Sequence, residues 1–284
     1  MLRYRNLKKG GFFIANQLGA TCVEDNCTDY SHRRLRNVVE EISVASDIPV
    51  PYVFVLESEQ GINALVTGYS AADMSIVVTR GALQYLNRDE LQGVIAHEFS
   101  HIVNGDIYKN MELIAIVYGI TSIGNLMRYA LQKQDWRSKM GGILLAPVGC
   151  CGLFIARLIK AAFSRQREYL ADSCAIQYTR QRDGLVGALK KIGGINEGSV
   201  VNDPKAQEFS HMFFGDISSH KSDLMATHPS LIDRLKALDP FFDASELTEL
   251  KNKWHKSPPN GLEEDKLLGL VENVKNYRCD PTNN

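Results

Sequence analysis

The pentapeptide His97-Glu98-Phe99-Ser100-His101 restricts this chain more than any other stretch. Two imidazoles four residues apart meet a common target only on a helix, where positions i and i+4 share a face. Glu98 then lies about 100° further round, able to reach a water beside a shared metal ion but badly placed to be a ligand itself. Catalytic zinc takes three protein ligands and keeps one position open. The pentapeptide therefore supplies two ligands, His97 and His101, and a general base, Glu98, and the fold must bring in a third ligand. Chance alone writes H-E-x-x-H into about one chain in a hundred of this length and composition, so the flanks must decide. They read as a helix. Asn87 has the spacing of an N-cap, with Glu90 three residues on completing a capping box. Leu91, Val94, Ile95, Phe99 and Ile102 form an apolar stripe, and Asn104-Gly105 makes a stop. The plainer alternative is two part-exposed histidines beside a core-facing stripe.

A third ligand should stand on another helix, and residues 164–172 (SRQREYLAD) offer one. Glu168 and Asp172 are i and i+4, so both carboxylates share a face. Glu168 has the chemistry to bind zinc, and Asp172 to accept the distal N–H of a ligand histidine. Taken alone, the segment reads more readily as a charged face whose arginines and carboxylates pair with one another. Two further segments bear on the choice: a short strand within residues 61–68 (GINALVTG), followed by Ser75 to Thr79, and His228-Pro229 opening a helix that contains Arg234.

These four ordered motifs resemble the HtpX and CAAX-prenyl-protease group of zinc metallopeptidases, gluzincins of metallopeptidase family forty-eight. The likeness runs from about Leu35 to Leu238. It implies an α+β, predominantly helical fold: a zincin-like catalytic domain with a small sheet and an active-site helix. It implies that His97, His101 and Glu168 bind one Zn2+ per chain, that Glu98 is the catalytic base, and that His228 and Arg234 line the far side of the site. His228 would assist the oxyanion, with Asp172 and Arg234 behind the ligands. Asn63 and Ala64 would lie on the strand that binds an extended substrate by adding it at the sheet edge. Relatives often continue Asn-Ala with phenylalanine; Leu65 stands here, which leaves the strand intact and puts an aromatic contact in doubt.

The implied activity is a zinc metalloendopeptidase acting on unfolded or membrane-associated polypeptides, in membrane-linked protein quality control. The alternative is a latent or chaperone-like binding module whose zinc site is closed by a fourth protein ligand. A prenyl-specific peptidase would need a large membrane-enclosed chamber, which this chain is too sparing in apolar helices to build. At 284 residues and 44% apolar the chain can bury a full core. A net charge of −1 gives no electrostatic case for nucleic acid. Six cysteines without metal-knuckle spacing read as free thiols in a reducing compartment. Residues 1–30 read as a lead segment, 31–240 as the catalytic domain and 241–284 as a polar C-terminal extension. Within the catalytic domain, 111–163 forms an apolar insert. Its runs Met111 to Met127 and Met140 to Leu158 are candidate transmembrane helices of a hairpin, against the alternative of two buried helices, because Asn125, Arg128, Pro147 and Arg157 interrupt them. The expected location is the bacterial inner membrane, with a soluble catalytic portion of a longer membrane protein as the alternative.

Overall fold

The structure is a computed structural model. It describes residues 10–24, 26–68, 73–106, 162, 164–203, 205–206, 209, 212–215 and 228–270. The apolar insert and its candidate hairpin lie outside these residues except at its C-terminal end. Among the described residues no helix is long and apolar enough to cross a membrane.

The chain opens with α1 (Gly11–Gln17) and a two-residue strand, β1 (Thr21–Cys22). Helix α2 (Tyr30–Ser46) starts where the Asp29 carboxylate accepts the backbone N–H groups of Ser31 and His32. It ends at Asp47 in the left-handed conformation. Then come β2 (Tyr52–Leu56), β3 (Ala64–Thr67) and β4 (Ser75–Thr79), α3 (Arg80–Tyr85) and α4 (Arg88–Val103). Residues 164–179 form α5. It is followed by α6 (Asp183–Gly194), α7 (Leu231–Leu238), α8 (Ala244–Lys256) and α9 (Gly261–Leu267).

The sheet order is β1-β2-β4-β3, with β2 and β4 parallel and the outer pairs antiparallel. Strands β2 and β4 are apolar on both faces because both faces are covered. Val53, Val55, Ile76 and Val78 point into a core shared with α2, α4 and α6. Phe54, Leu56, Leu65 and Val77 point the other way, into a smaller core with Ile14 and Ala15 of α1, Leu18 at its C-cap, and Phe213. Strand β3 is thus the sheet edge, and Asn63 sits at its entrance. Thr79 fixes that entrance: its hydroxyl accepts the Asn63 N–H at 2.9 Å, and its own N–H donates to the Asn63 carbonyl at 3.0 Å. Helices α4 and α6 cross at glycines. A Cβ on Gly93 would stand 2.7 Å from the Leu185 nitrogen, and one on Gly184 would stand 2.3 Å from the Asp89 carbonyl oxygen.

The chain divides into two compact units. One comprises residues 1–104, 169–220 and 230–284; the other comprises 105–168 and 221–229. The first holds the sheet and the helices above, apart from the start of α5. In the second, Arg167 on the first turns of α5 donates to the Asp106 carbonyl at 3.1 Å.

Candidate active site

Helix α4 begins as its sequence demands. The Asn87 side chain accepts the Glu90 N–H at 3.0 Å while the Glu90 carboxylate accepts the Asn87 N–H at 2.8 Å. From Leu91 to Phe99 the helix is buried apart from Gln92, which leaves His97 without solvent exposure and Glu98 at 1%. The reading as surface histidines therefore fails for His97, and His101 is half-buried. Their Nε2 atoms lie 3.2 Å apart. Zinc–nitrogen bonds of about 2.0–2.1 Å at a tetrahedral angle place two histidine nitrogens about 3.3–3.4 Å apart, so the pair fits one zinc ion.

The other nitrogen of His97 fixes its tautomer. Nδ1–H donates to Asp172 Oδ1 at 2.8 Å, leaving the Nε2 lone pair facing His101. Asp172 is gripped from α7 by a bidentate Arg234, with Nε 2.9 Å from Oδ2 and Nη2 2.6 Å from Oδ1. Burial pushes the Asp172 carboxyl upward, but the Arg234 charge and the bonds from His97 and Arg234 outweigh it and hold the group below the usual aspartate range. Both Asp172 oxygens thus serve the histidine and the α7 arginine, which is not the self-paired charged face that the segment alone suggests.

Glu168 precedes Asp172 by one turn of α5, on the same face. His97, His101 and Glu168 make up a candidate metal-holding group, and among the described residues the group comprises these three. His228 Nδ1 lies 3.3 Å from Glu168 Oε2, which sets His228 beside the carboxylate.

Ala64 opens the edge strand β3, and Asn63 directly precedes it. Asn63 is fully buried, and its amide faces inward. Its Nδ2 donates to the carbonyls of Ser199 at 2.7 Å and Gly215 at 3.1 Å, while Oδ1 accepts the Gly215 N–H at 3.0 Å. The Ala64 carbonyl accepts the Phe214 N–H at 2.8 Å, and Leu65 bridges antiparallel to Phe213. The chain itself occupies this stretch of edge.

Phe214 is the residue that sequence reasoning missed. Its ring meets His97 edge-on, with centroids 4.8 Å apart and planes at 88°. Arg234 lies over the same ring, 4.5 Å from its centroid, and donates from Nη1 to the Phe214 carbonyl at 3.1 Å. The only sequence signal was an aromatic pair directly before a glycine, which says nothing about a target so remote along the chain.

Over most of its length the chain is similar to known proteases. Peptidase family M48 matches residues 29–241. A protease HtpX homolog of Thermoanaerobacter pseudethanolicus is 39% identical over 218 residues, 72% of this chain and 70% of the relative. One of Streptococcus uberis is 32% identical over 233 residues, 75% of this chain and 73% of the relative. Among solved structures, the crystal structure of S. mikatae Ste24p aligns at 20% identity with a TM-score of 0.48, covering 78% of this chain and 51% of that one.

Proposed function

The chain belongs to peptidase family M48 and is a metalloprotease; from that premise we propose a zinc endopeptidase in which His97, His101 and Glu168 hold one zinc ion and Glu98 is the general base. The observation that carries this reading is the 3.2 Å approach of two Nε2 atoms, with the far nitrogen of His97 committed to Asp172. Among the described residues the group has three donors, the number a catalytic zinc site uses, whereas structural zinc is normally closed by four protein ligands. That supports catalysis over a closed, latent or chaperone-like site.

Zinc bound there supplies Lewis acidity, which polarises a scissile carbonyl and makes water nucleophilic near neutral pH. Glu98 accepts the proton as water attacks and delivers it to the leaving amine. Asp172 keeps His97 in the ligating tautomer and raises its basicity, and Arg234 holds Asp172 ionised in a buried place. His228, next to Glu168, donates a hydrogen bond to the developing oxyanion. The substrate is an unfolded polypeptide. Strand addition at Ala64 and Leu65 has no part in this reading, since those residues are already paired. A role in membrane-linked quality control extends the proposal. It draws on the apolar runs within residues 111–158 and on the HtpX-like relatives, and detergent-free extraction of the whole chain from membranes would count against it.

Metal content measured together with casein cleavage, for wild type and Glu98→Gln, tests the core of the proposal. One zinc per chain in both, with cleavage lost only in the variant, is the expected result. Zinc in both with cleavage in neither would point to a closed site instead.

A further inference from the structure

We propose that Phe214 is a positioning residue for the metal-binding face of His97, and that Asn63 acts on the site by anchoring Phe214, not by touching substrate. This rests on the zinc reading of His97 given above.

The His97 ring is oriented from its Nδ1 edge and from the side that Phe214 meets. Its Nδ1 edge is held by Asp172 at 2.8 Å. A hydrogen bond at one atom leaves an imidazole free to swing about that contact, and ligand geometry tolerates little of it, since a site must be held within about 0.5 Å. The Phe214 ring supplies the second restraint, edge-on at 4.8 Å between centroids. An edge-to-face pair of this kind has a preferred orientation as well as a preferred distance.

Phe214 can restrain His97 only if it is itself fixed, and it is fixed on every side. Its N–H is bonded to Ala64 on the sheet edge and its carbonyl to Arg234 on α7. The Arg234 guanidinium lies over the face of its ring. The next residue, Gly215, is locked by Asn63, whose amide pairs with both backbone groups of Gly215 as a strand would. The same amide binds the Ser199 carbonyl, closing the loop on its other flank. A side chain with four hydrogen bonds to backbone and no solvent exposure is not presented to a peptide. Arg234 closes the circuit: one guanidinium holds Asp172 and Phe214, both of which orient His97, and its Nη2 lies 3.4 Å from His97 Nδ1.

Two variants separate this role from substrate binding. Phe214→Leu removes the ring while keeping an apolar group in the core; Asn63→Ser removes the clamp far from His97. The readouts are zinc affinity by chelator competition, the visible spectrum of the cobalt-substituted protein, and KM against kcat. The expected result is zinc binding weakened about tenfold or more in both variants, the loss typical of disturbed outer-shell partners. The cobalt bands should shift and kcat fall, with KM unchanged. Wild-type zinc affinity and cobalt spectrum in Asn63→Ser, with KM raised, would overturn the proposal and return Asn63 to the substrate. Should Phe214→Leu fail to fold, Asn63→Ser decides alone by the same criteria. Failure of the zinc reading itself looks different: the wild-type protein would bind no zinc, or His97→Ala would bind it as tightly as wild type.

Discussion

At the scale of single residues, the proposed zinc site asks a ligand to turn one ring nitrogen to the metal and the other to the protein. His97 shows this most clearly, with Nδ1 bound to Asp172 and Nε2 turned to His101. Asp172→Asn keeps the shape but removes the charge that draws on the His97 N–H and leaves Arg234 a weaker partner. Zinc affinity should fall ten- to a hundredfold with the fold retained, read by chelator titration beside circular dichroism. Glu168→Ala should lose the metal outright, and full zinc occupancy in that variant would assign the third ligand elsewhere. The helical pairs were legible in the sequence because a helix converts spacing into geometry: a step of four from His97 to His101, and of four from Glu168 to Asp172, means one face. Phe214 and the inward turn of Asn63 were not legible. Their contacts join positions more than a hundred residues apart through a loop, and no local periodicity encodes that closure.

At the scale of elements, the sequence was read well where apolar residues run long enough to reveal a period or a buried strand. Strands β2 and β4 fall where their apolar runs begin and end. Helix α4 starts at the capping box that Asn87 and Glu90 announce. Helices α1 and α3 and strand β1 carry no such signal, because seven, six and two residues are too few to show a period. Their burial comes from neighbours rather than from their own pattern. Asn87→Ala should therefore cost about 1 kcal/mol in equilibrium denaturation, as loss of an N-cap does. Glu90 adds a pH effect whose sign follows from its surroundings. Burial raises its carboxyl above the usual glutamate range, against the pull of Lys191 2.7 Å away. The folded protein then holds this proton more tightly than the unfolded chain, so the contribution of Glu90 to stability declines as pH rises from its unfolded to its folded pKa. Compared with Glu90→Gln, wild type should lose relative stability on going from acid towards neutral pH. A flat or rising difference would show that Lys191 wins over burial.

At the scale of the whole molecule, the segment after Pro240 reads as a polar appendage, yet its last described helix is built into the first unit. Asp265 is 1% exposed, bonded to Arg34 of α2 at 2.7 Å, and accepts the Arg88 N–H at 2.8 Å at the first turn of α4. Glu264 binds Lys191 at 2.6 Å and the Asn87 amide at 2.9 Å. Gly261 packs so closely on the chain before α4 that a Cβ would stand 1.8 Å from the Leu86 carbonyl oxygen. Helix α9 is thus a clasp over the start of the helix that carries His97 and His101. What this clasp contributes depends on which half is removed. Asp265→Ala leaves a buried guanidinium with one carboxylate partner gone, and breaking such a pair costs about 3–5 kcal/mol. The attraction within the pair is itself largely offset by desolvation of two charges, so replacing both members should be far milder. Arg34→Met combined with Asp265→Leu should recover most of the loss, short of full recovery because the Arg88 N–H then has no carboxylate to accept it. Urea denaturation of Asp265→Ala and of the double variant measures this. If the double variant were as unstable as Asp265→Ala, the clasp would owe its strength to the ion pair itself and not to the burial that the pair permits.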